Sequence, residues 1–269
     1  MLTLLTTIRN EEKYIKEWLV YYHLIGVENF IVFLHKNTDN SYEIIKNLSF
    51  KDQIQIIKIE EENDIGIHFQ NNILKQAVEL SNTEYLIYLD IDEFLYLNNN
   101  DYINDFLANY KDIGGIAIYQ NIFGSCGHII SPKGLVIENY LHRNYDNVHL
   151  NKTSLLFSKP QDLFADVKFL LKKDTIQYIR TIHDIVCSQK IITQDGSLFQ
   201  KQKLKRTTDN ICIHHYFTKS RQDWEFKTGR KRISGSSKYS NDFFEYFSNQ
   251  NYLDEDLKNK YASKIKAFL

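Results

Sequence analysis

The stretch Tyr85-Leu86-Ile87-Tyr88-Leu89-Asp90-Ile91-Asp92-Glu93-Phe94-Leu95 decides the fold. Five apolar or aromatic residues run directly into an Asp-x-Asp-Glu cluster. A short continuous apolar run reads as a strand buried on both faces, the kind found in parallel sheets. In open α/β sheets the ligand site lies beyond the carboxyl ends of the strands, and the acidic cluster stands at such an end. With the chain extended through Ile91, Asp90 and Asp92 project to the same side. Two carboxylates so placed suit a hard divalent cation, with positions left open for phosphate oxygens. The alternative is a solvated acidic turn. The fully apolar strand before the cluster and Glu93-Phe94-Leu95 behind it favour the metal site.

Working outward towards the N-terminus, Leu2 to Ile8 reads as the first strand, followed by the turn Arg9-Asn10-Glu11-Glu12. Asn10 is placed as an N-cap, and the two glutamates suit the positive end of a helix. Ile15, Trp18, Leu19 and Tyr22 keep the spacing of an amphipathic helix, and Gly26 closes it. Phe30 to Leu34 is a second buried strand with the loop His35 to Ser41 at its end, and a short helix runs through Ile44, Ile45 and Leu48. Ile54 to Ile59 is a third strand, Glu60 to Asp64 an acidic loop, and Ile73, Leu74, Ala77 and Val78 mark the next helix. Strand–helix alternation implies right-handed crossovers and a parallel sheet. Its informative loops, including Thr7 to Glu11, then share one edge. There is no Gly-x-Gly-x-x-Gly after the first strand and no Gly-Lys-Thr, which argues against a dinucleotide dehydrogenase and a P-loop NTPase.

Composition bounds the function. The 269 residues carry a net charge of −1, 43% hydrophobic residues and 14% aromatic residues, ordinary for a globular protein. Nothing polybasic points to nucleic acid. The three cysteines, Cys126, Cys187 and Cys212, show no metal-ligand or disulfide spacing, so reduced thiols in the cytosol are expected. No signal peptide or spanning segment is read from the sequence. The protein is therefore expected in the cytoplasm, with a weak peripheral contact at the inner membrane face through the tail Lys264 to Leu269.

Towards the C-terminus, Asn98 to Asp101 reads as a helix start, and Ile116 to Tyr119 as a strand. The loop Asn121-Ile122-Phe123-Gly124-Ser125-Cys126-Gly127-His128 follows. Short strands are read at Thr153–Phe157, Lys168–Leu171 and Gln177–Ile179, and Asp195-Gly196 is a hairpin signal. Ile211-Cys212-Ile213-His214-His215-Tyr216 is a strand ending in two histidines that point to opposite sides. Ser220-Arg221-Gln222-Asp223 resembles a capping box and opens a helix bearing Lys227 and Arg230.

These segments resemble, in order and spacing, the glycosyltransferase family 2-like and family 92-like enzymes of the GT-A fold. The shared features are the Arg9-Asn10-Glu11 turn, Gly26-Val27, Asn37-Thr38-Asp39, the strand ending in Asp-x-Asp-Glu, the Phe-Gly-Ser loop, His215-Tyr216, Lys219-Ser220 and Lys227–Arg230. The resemblance implies an α/β GT-A-like nucleotide-binding fold, a mainly parallel sheet flanked by helices with a C-terminal acceptor-side region. Residues 1–112 would form the nucleotide-sugar half, 113–238 the acceptor and catalytic half, and 239–269 a helical tail. It implies a metal-dependent, inverting transfer of a sugar from a nucleoside-diphosphate sugar, UDP-linked, to a saccharide or lipid-linked saccharide acceptor in surface polysaccharide or glycoconjugate synthesis. The cofactor would be a divalent cation, Mn2+ or Mg2+.

Roles follow. Asp92 is the main metal ligand, with Asp90 binding the ion through water or holding the ribose. His215 is either a further ligand or a core histidine. Thr7, Arg9, Asn10, Glu11, Asn37 and Asp39 are assigned to the donor, and Arg221, Lys227 and Arg230 to its diphosphate. Phe123, Gly124 and His128 border the acceptor. The general base is Asp184, Glu138 or His128, with Asp184 first; His183 matches a family histidine beside it. Two other classes stay open, a metal-dependent nucleotidyltransferase and a non-catalytic carbohydrate-binding domain of the same fold.

Overall fold

A computed structural model describes residues 1–60, 67–143, 167–182, 184–200, 210–229, 241–248 and 250–269. The N-terminal elements are β1 (Leu2–Ile8), α1 (Ile15–Leu24), β2 (Asn29–His35), α2 (Ser41–Lys46), β3 (Ile54–Ile59), α3 (Ile67–Leu80) and β4 (Tyr85–Tyr88). Then come β5 (Glu93–Leu97), α4 (Ile103–Leu107), β6 (Gly115–Ile118), β7 (Gln120–Ile122), α5 (Val136–Asn139) and β8 (His142–Arg143). The later strands are β9 (Lys168–Lys172), β10 (Ile176–Thr181), β11 (Asp184–Cys187), β12 (Ile191–Thr193) and β13 (Ile211–His215). The chain closes with α6 (Arg221–Gly229), α7 (Asn241–Ser248), β14 (Tyr252–Leu253) and α8 (Asp256–Phe268).

Seven strands form the main sheet in the order β12-β6-β9-β4-β1-β2-β3. All neighbours are parallel except β9, which runs antiparallel between β4 and β6. The period-2 alternation of strand side chains divides the core into two layers. Leu4, Val32, Ile87 and Leu170 face α1 and α8, whereas Leu5, Ile31, Phe33, Leu86 and Leu171 face α3 and the β10–β11 hairpin. The sheet is thus mainly parallel and flanked by helices, as the apolar runs predict.

Several local expectations change. Asn10 is not an N-cap: it has a left-handed φ of 57°, and α1 begins only at Ile15. Its side chain bridges to the neighbouring loop instead, with Oδ1 accepting from the Thr38 amide at 2.7 Å. The helix expected from Asn98 begins at Ile103. Gly26 holds φ +87° at the end of α1, as a closing glycine should. Residues 239–269 are expected from sequence as a helical tail. Helix α8 buries Leu257, Tyr261, Ala262 and Ile265 in the core layer that holds α1. The strand expected at 153–157, together with His183 and Arg230, lies outside the described residues.

Candidate active site

The acidic cluster is a turn rather than an extended segment. The Glu93 amide donates to the Asp90 carbonyl at 3.0 Å, and the Glu93 carboxylate accepts from the Asp90 amide at 2.9 Å. The expectation that Asp90 and Asp92 share one side of a strand is therefore corrected. The turn sends their carboxylates to different partners.

Beyond the turn the chain leaves the main sheet. β5 pairs antiparallel with β13, which pairs parallel with β7. That register sets His215 opposite Glu93. The Tyr216 amide donates to the Asp92 carbonyl at 2.8 Å, tying the end of β13 to the turn. Helix α1 clasps β5 from the other side. Trp18 Nε1 and the Tyr22 hydroxyl donate to the Glu93 carbonyl, each at 2.9 Å, and the Tyr21 hydroxyl donates to the Leu95 carbonyl at 2.6 Å. The Leu95 amide donates to the Tyr22 oxygen at 2.9 Å. Trp18 and Tyr22, read from sequence as part of a core face, and Tyr21 beside them thus carry three polar tips that fix the acidic turn and the strand after it.

Asp92 is the centre of the site. Its Oδ2 lies 2.9 Å from Lys227 Nζ and 3.6 Å from Lys219 Nζ. Its Oδ1 lies 3.5 Å from His215 Nε2. Burial alone would raise this carboxyl, but Lys227 and Lys219 hold it well below the usual carboxylate range. His215 Nδ1 is 2.6 Å from Gln120 Oε1. With Nδ1–H donating to that oxygen, Nε2 presents a lone pair to Asp92 Oδ1. Two acceptors facing one another call for a proton or a cation between them. A separation of 3.5 Å also suits two ligands of one ion, each about 2.1 Å from it. Among the described residues no three His, Cys, Asp or Glu side chains could hold a metal by themselves. An ion here would complete its shell with substrate or water oxygens, a common arrangement for Mg2+-type sites.

Asp90 is not part of that pair. Its Oδ2 lies 2.7 Å from Lys168 Nζ, which also lies 3.1 Å from Glu93 Oε2. Partial burial opposes ionisation of Asp90, whose side chain is 42% exposed, yet Lys168 holds it below its ordinary value. Glu93 is pushed up to about 7 by burial, with Lys168 opposing. Lys219 takes a left-handed φ of 51°, a conformation that costs roughly 1–3 kcal/mol in a non-glycine residue. The strain aims its ammonium at Asp92. Burial lowers its affinity for a proton, and Asp92 partly restores it.

The other expected residues divide. Thr7 is buried at the end of β1, and Arg9, Asn10 and Glu11 line the loop that follows it. The side chains of Asn37 and Asp39 clasp that loop. The Asn10 amide donates to Asn37 Oδ1, and the Glu12 amide to Asp39 Oδ2, both at 2.8 Å. Asp39 Oδ1 accepts from Asn37 Nδ2 at 2.8 Å and from the Ser41 amide at 2.9 Å. Arg221 turns away from the turn, ion-paired with Glu245 and stacked over Phe244 of α7.

Phe123 is 1% exposed and packs between the rings of His214 and Tyr216, so it cannot touch an acceptor. At Gly124 a Cβ would come within 2.6 Å of the Ser248 carbonyl oxygen, so the missing side chain admits α7 rather than a ligand. His128 sits against Tyr140 and the Asn139 carbonyl, beside the start of α6. Glu138 is ion-paired with Lys266 of α8 at 2.6 Å. Asp184 starts β11, 3.8 Å from Arg180, on the hairpin that packs against α3.

Sequence reasoning missed Lys168 entirely and gave Lys219 no role. The one available signal for Lys168 was a lone lysine opening the apolar run Phe169-Leu170-Leu171.

The sequence profile of glycosyltransferase family 92 matches residues 5–243. The chain belongs to glycosyltransferase family 92. A family 92 protein of Oryza sativa subsp. japonica is 26% identical over 145 residues, covering 51% of this chain and 24% of that protein. One from Ricinus communis is 24% identical over 138 residues, covering 48% and 23%. The family 92 chain described here therefore spans about a quarter of the length of the curated relatives it matches. Among solved structures, Staphylococcus aureus TarS 1–349 in complex with UDP-GlcNAc matches 77% of this chain and 59% of its own, at 14% identity and a TM-score of 0.41. Glucosyl-3-phosphoglycerate synthase from Mycobacterium tuberculosis, in complex with Mn2+, UDP-glucose and phosphoglyceric acid, matches 78% and 73%, at 10% identity and a TM-score of 0.38.

Proposed function

We propose that this family 92 chain transfers a glycosyl unit from a nucleoside-diphosphate sugar, UDP-linked, to a saccharide acceptor, with inversion at the anomeric carbon. One observation carries the reading. At the carboxyl end of β4 a single ionised carboxylate, Asp92, faces two ammonium groups and an imidazole. Two ammonium groups converge there, and a diphosphate leaving group is the substrate part such a site would stabilise.

Asp92 Oδ1 and His215 Nε2 would hold a divalent cation, Mn2+ or Mg2+. When bound, the ion supplies Lewis-acid stabilisation of charge on the departing diphosphate. Lys227, with a quarter of its side chain exposed, exchanges Asp92 for a phosphate oxygen. Lys219 stays beneath it and keeps Asp92 ionised. Gln120 holds the His215 ring in place through Nδ1. Asp184 is assigned as the base that accepts the acceptor hydroxyl proton, and Asp184→Asn should lower kcat with little change in donor KM. A cytoplasmic location is part of this reading, and a peripheral membrane contact would rest on the tail Lys264 to Leu269, whose last two residues, Phe268 and Leu269, are exposed. Fractionation with and without these two residues tests that contact.

The principal experiment is a transfer assay with UDP-, GDP-, CMP- and dTDP-sugars, with Mn2+ or with chelator. It is paired with thermal shifts and with product anomeric configuration by NMR. Transfer that needs a divalent ion and is lost in Asp92→Asn is the expected result. Full activity of that variant, or of the wild type in chelator, would overturn the metal reading. Retained configuration would overturn the inverting assignment.

A further inference from the structure

The site contains two kinds of lysine. Lys227 sits in the last turn of α6 with 26% of its side chain exposed, able to leave Asp92. Lys168 is 2% exposed and cannot move in that way. It opens β9, whose ladder pairs Ile87 with Leu170 and Ile118 with Lys168. Carried two residues on, that register puts Lys168 across from Leu89, directly beside Asp90. Its ammonium lies 2.7 Å from Asp90 Oδ2 and 3.1 Å from Glu93 Oε2, and 5.3 Å from the centre of the Tyr88 ring. Glu93 in turn holds the Asp90 amide. The first aspartate of the Asp-x-Asp pair therefore has a fixed cation at hydrogen-bonding distance, whereas at the second the cation at that distance, Lys227, is displaceable and the buried Lys219 stands 3.6 Å off.

We infer that Lys168 is a positioning residue that withholds Asp90 from the divalent cation, so that Asp92 is the only aspartate of the pair to bind it. A buried ammonium within hydrogen-bonding distance of Asp90 repels a second cation brought to the same carboxylate. The donor-free protein then offers an ion one carboxylate and one imidazole, a low charge count for a hard cation. Binding becomes firm only when diphosphate oxygens complete the shell, which couples ion and donor. Lys168 also cancels the charge of Asp90 and keeps the turn closed through Glu93. This inference rests on the metal reading given above and extends it to a residue with no place in the Asp-x-Asp pattern.

The test is a Mn2+ titration of the full chain, with and without UDP, followed by calorimetry or free-Mn2+ EPR. The wild type should bind Mn2+ weakly alone and more tightly with UDP. Lys168→Gln frees Asp90 and should bind Mn2+ alone about tenfold more tightly, the scale on which groups behind metal ligands act. The gain should vanish in Lys168→Gln/Asp90→Asn, and Lys168→Arg should behave as the wild type. Damage to the fold alone would weaken binding, so the direction of the change is diagnostic. Unchanged or weaker binding by a Lys168→Gln protein with wild-type circular dichroism would overturn the inference.

Where Lys168→Gln does not fold, two single variants decide with UDP present. Asp92→Asn should lose Mn2+ binding, and Asp90→Asn should retain it to within about tenfold. Equal loss in both would make Asp90 a ligand and overturn the inference while leaving the metal reading intact. A wild type that binds no Mn2+ in either condition, or unchanged binding in Asp92→Asn, would overturn the metal reading itself.

Discussion

Adjacent histidines at the end of β13 have opposite surroundings. His214 is buried against the rings of Tyr96 and Phe123, and burial lowers it to about 4. His215 faces Asp92 and Gln120. His215→Ala should weaken Mn2+-dependent donor binding by about tenfold or more, with a melting temperature close to wild type. His214→Ala should cost about 2–4 kcal/mol of stability through the cavity it leaves, with ion binding retained. Calorimetry and thermal melts on both variants separate these outcomes. Glu17 gives a second residue-scale prediction. Its buried carboxylate accepts the Val136 amide at 2.8 Å and the Ile137 amide at 3.2 Å, joining α1 to α5. Burial raises it to about 7, against the opposing pull of those amides. The folded state therefore binds a proton more tightly than the unfolded one. Stability falls as pH rises from the unfolded carboxylate range towards 7, then levels off. The contribution is on the order of 3–4 kcal/mol, at about 1.4 kcal/mol per pH unit. Glu17→Gln should flatten the decline between pH 5 and 8, and parallel stability curves for the two proteins would refute the assignment.

At the scale of elements, legibility followed the kind of contact. The strands β1, β2 and β4 were readable because continuous apolar runs have one good solution, burial on both faces of a central sheet. The β5-β13-β7 sheet was not. Its partners Glu93 and His215 are far apart in sequence, and nothing local specifies their pairing. Asp92 and His215 could still be named, because carboxylates after a buried strand and histidines at a strand end carry chemistry by type. Lys168 could not, since a lysine at the start of a strand usually points to water. Phe123 and Gly124 misled for a related reason. An aromatic–glycine loop serves a ligand or a packed helix equally well, and here α7 fills the space. Gly124→Ala should therefore destabilise the protein by about 1–3 kcal/mol, because the obstructing atoms are the backbone carbonyls of Ser248 and Phe247. Urea unfolding measures this, and a neutral result would mean that α7 can yield.

For the whole molecule, the last helix closes on the first. Tyr261 of α8 packs edge-on to Tyr21 of α1 at 5.1 Å, and the Lys16 ammonium reaches the Leu269 carbonyl at 2.8 Å. Removing residues 256–269 should expose Tyr21 and the core layer around it, and abolish cooperative melting by circular dichroism. A sharp transition near the wild-type temperature would show α8 to be dispensable. The clasp of α1 on β5 has a different consequence, in how copies of the protein meet one another. β5 borders its small sheet, and the outward backbone groups of a border strand are a template for a strand from another chain. Here the indole of Trp18 and the hydroxyls of Tyr21 and Tyr22 already occupy the Glu93 and Leu95 positions. Loss of these tips in Trp18→Phe/Tyr21→Phe/Tyr22→Phe would leave that border open. The expected phenotype is then concentration-dependent self-association, visible by light scattering and rich in intermolecular β-structure, before any loss of helix.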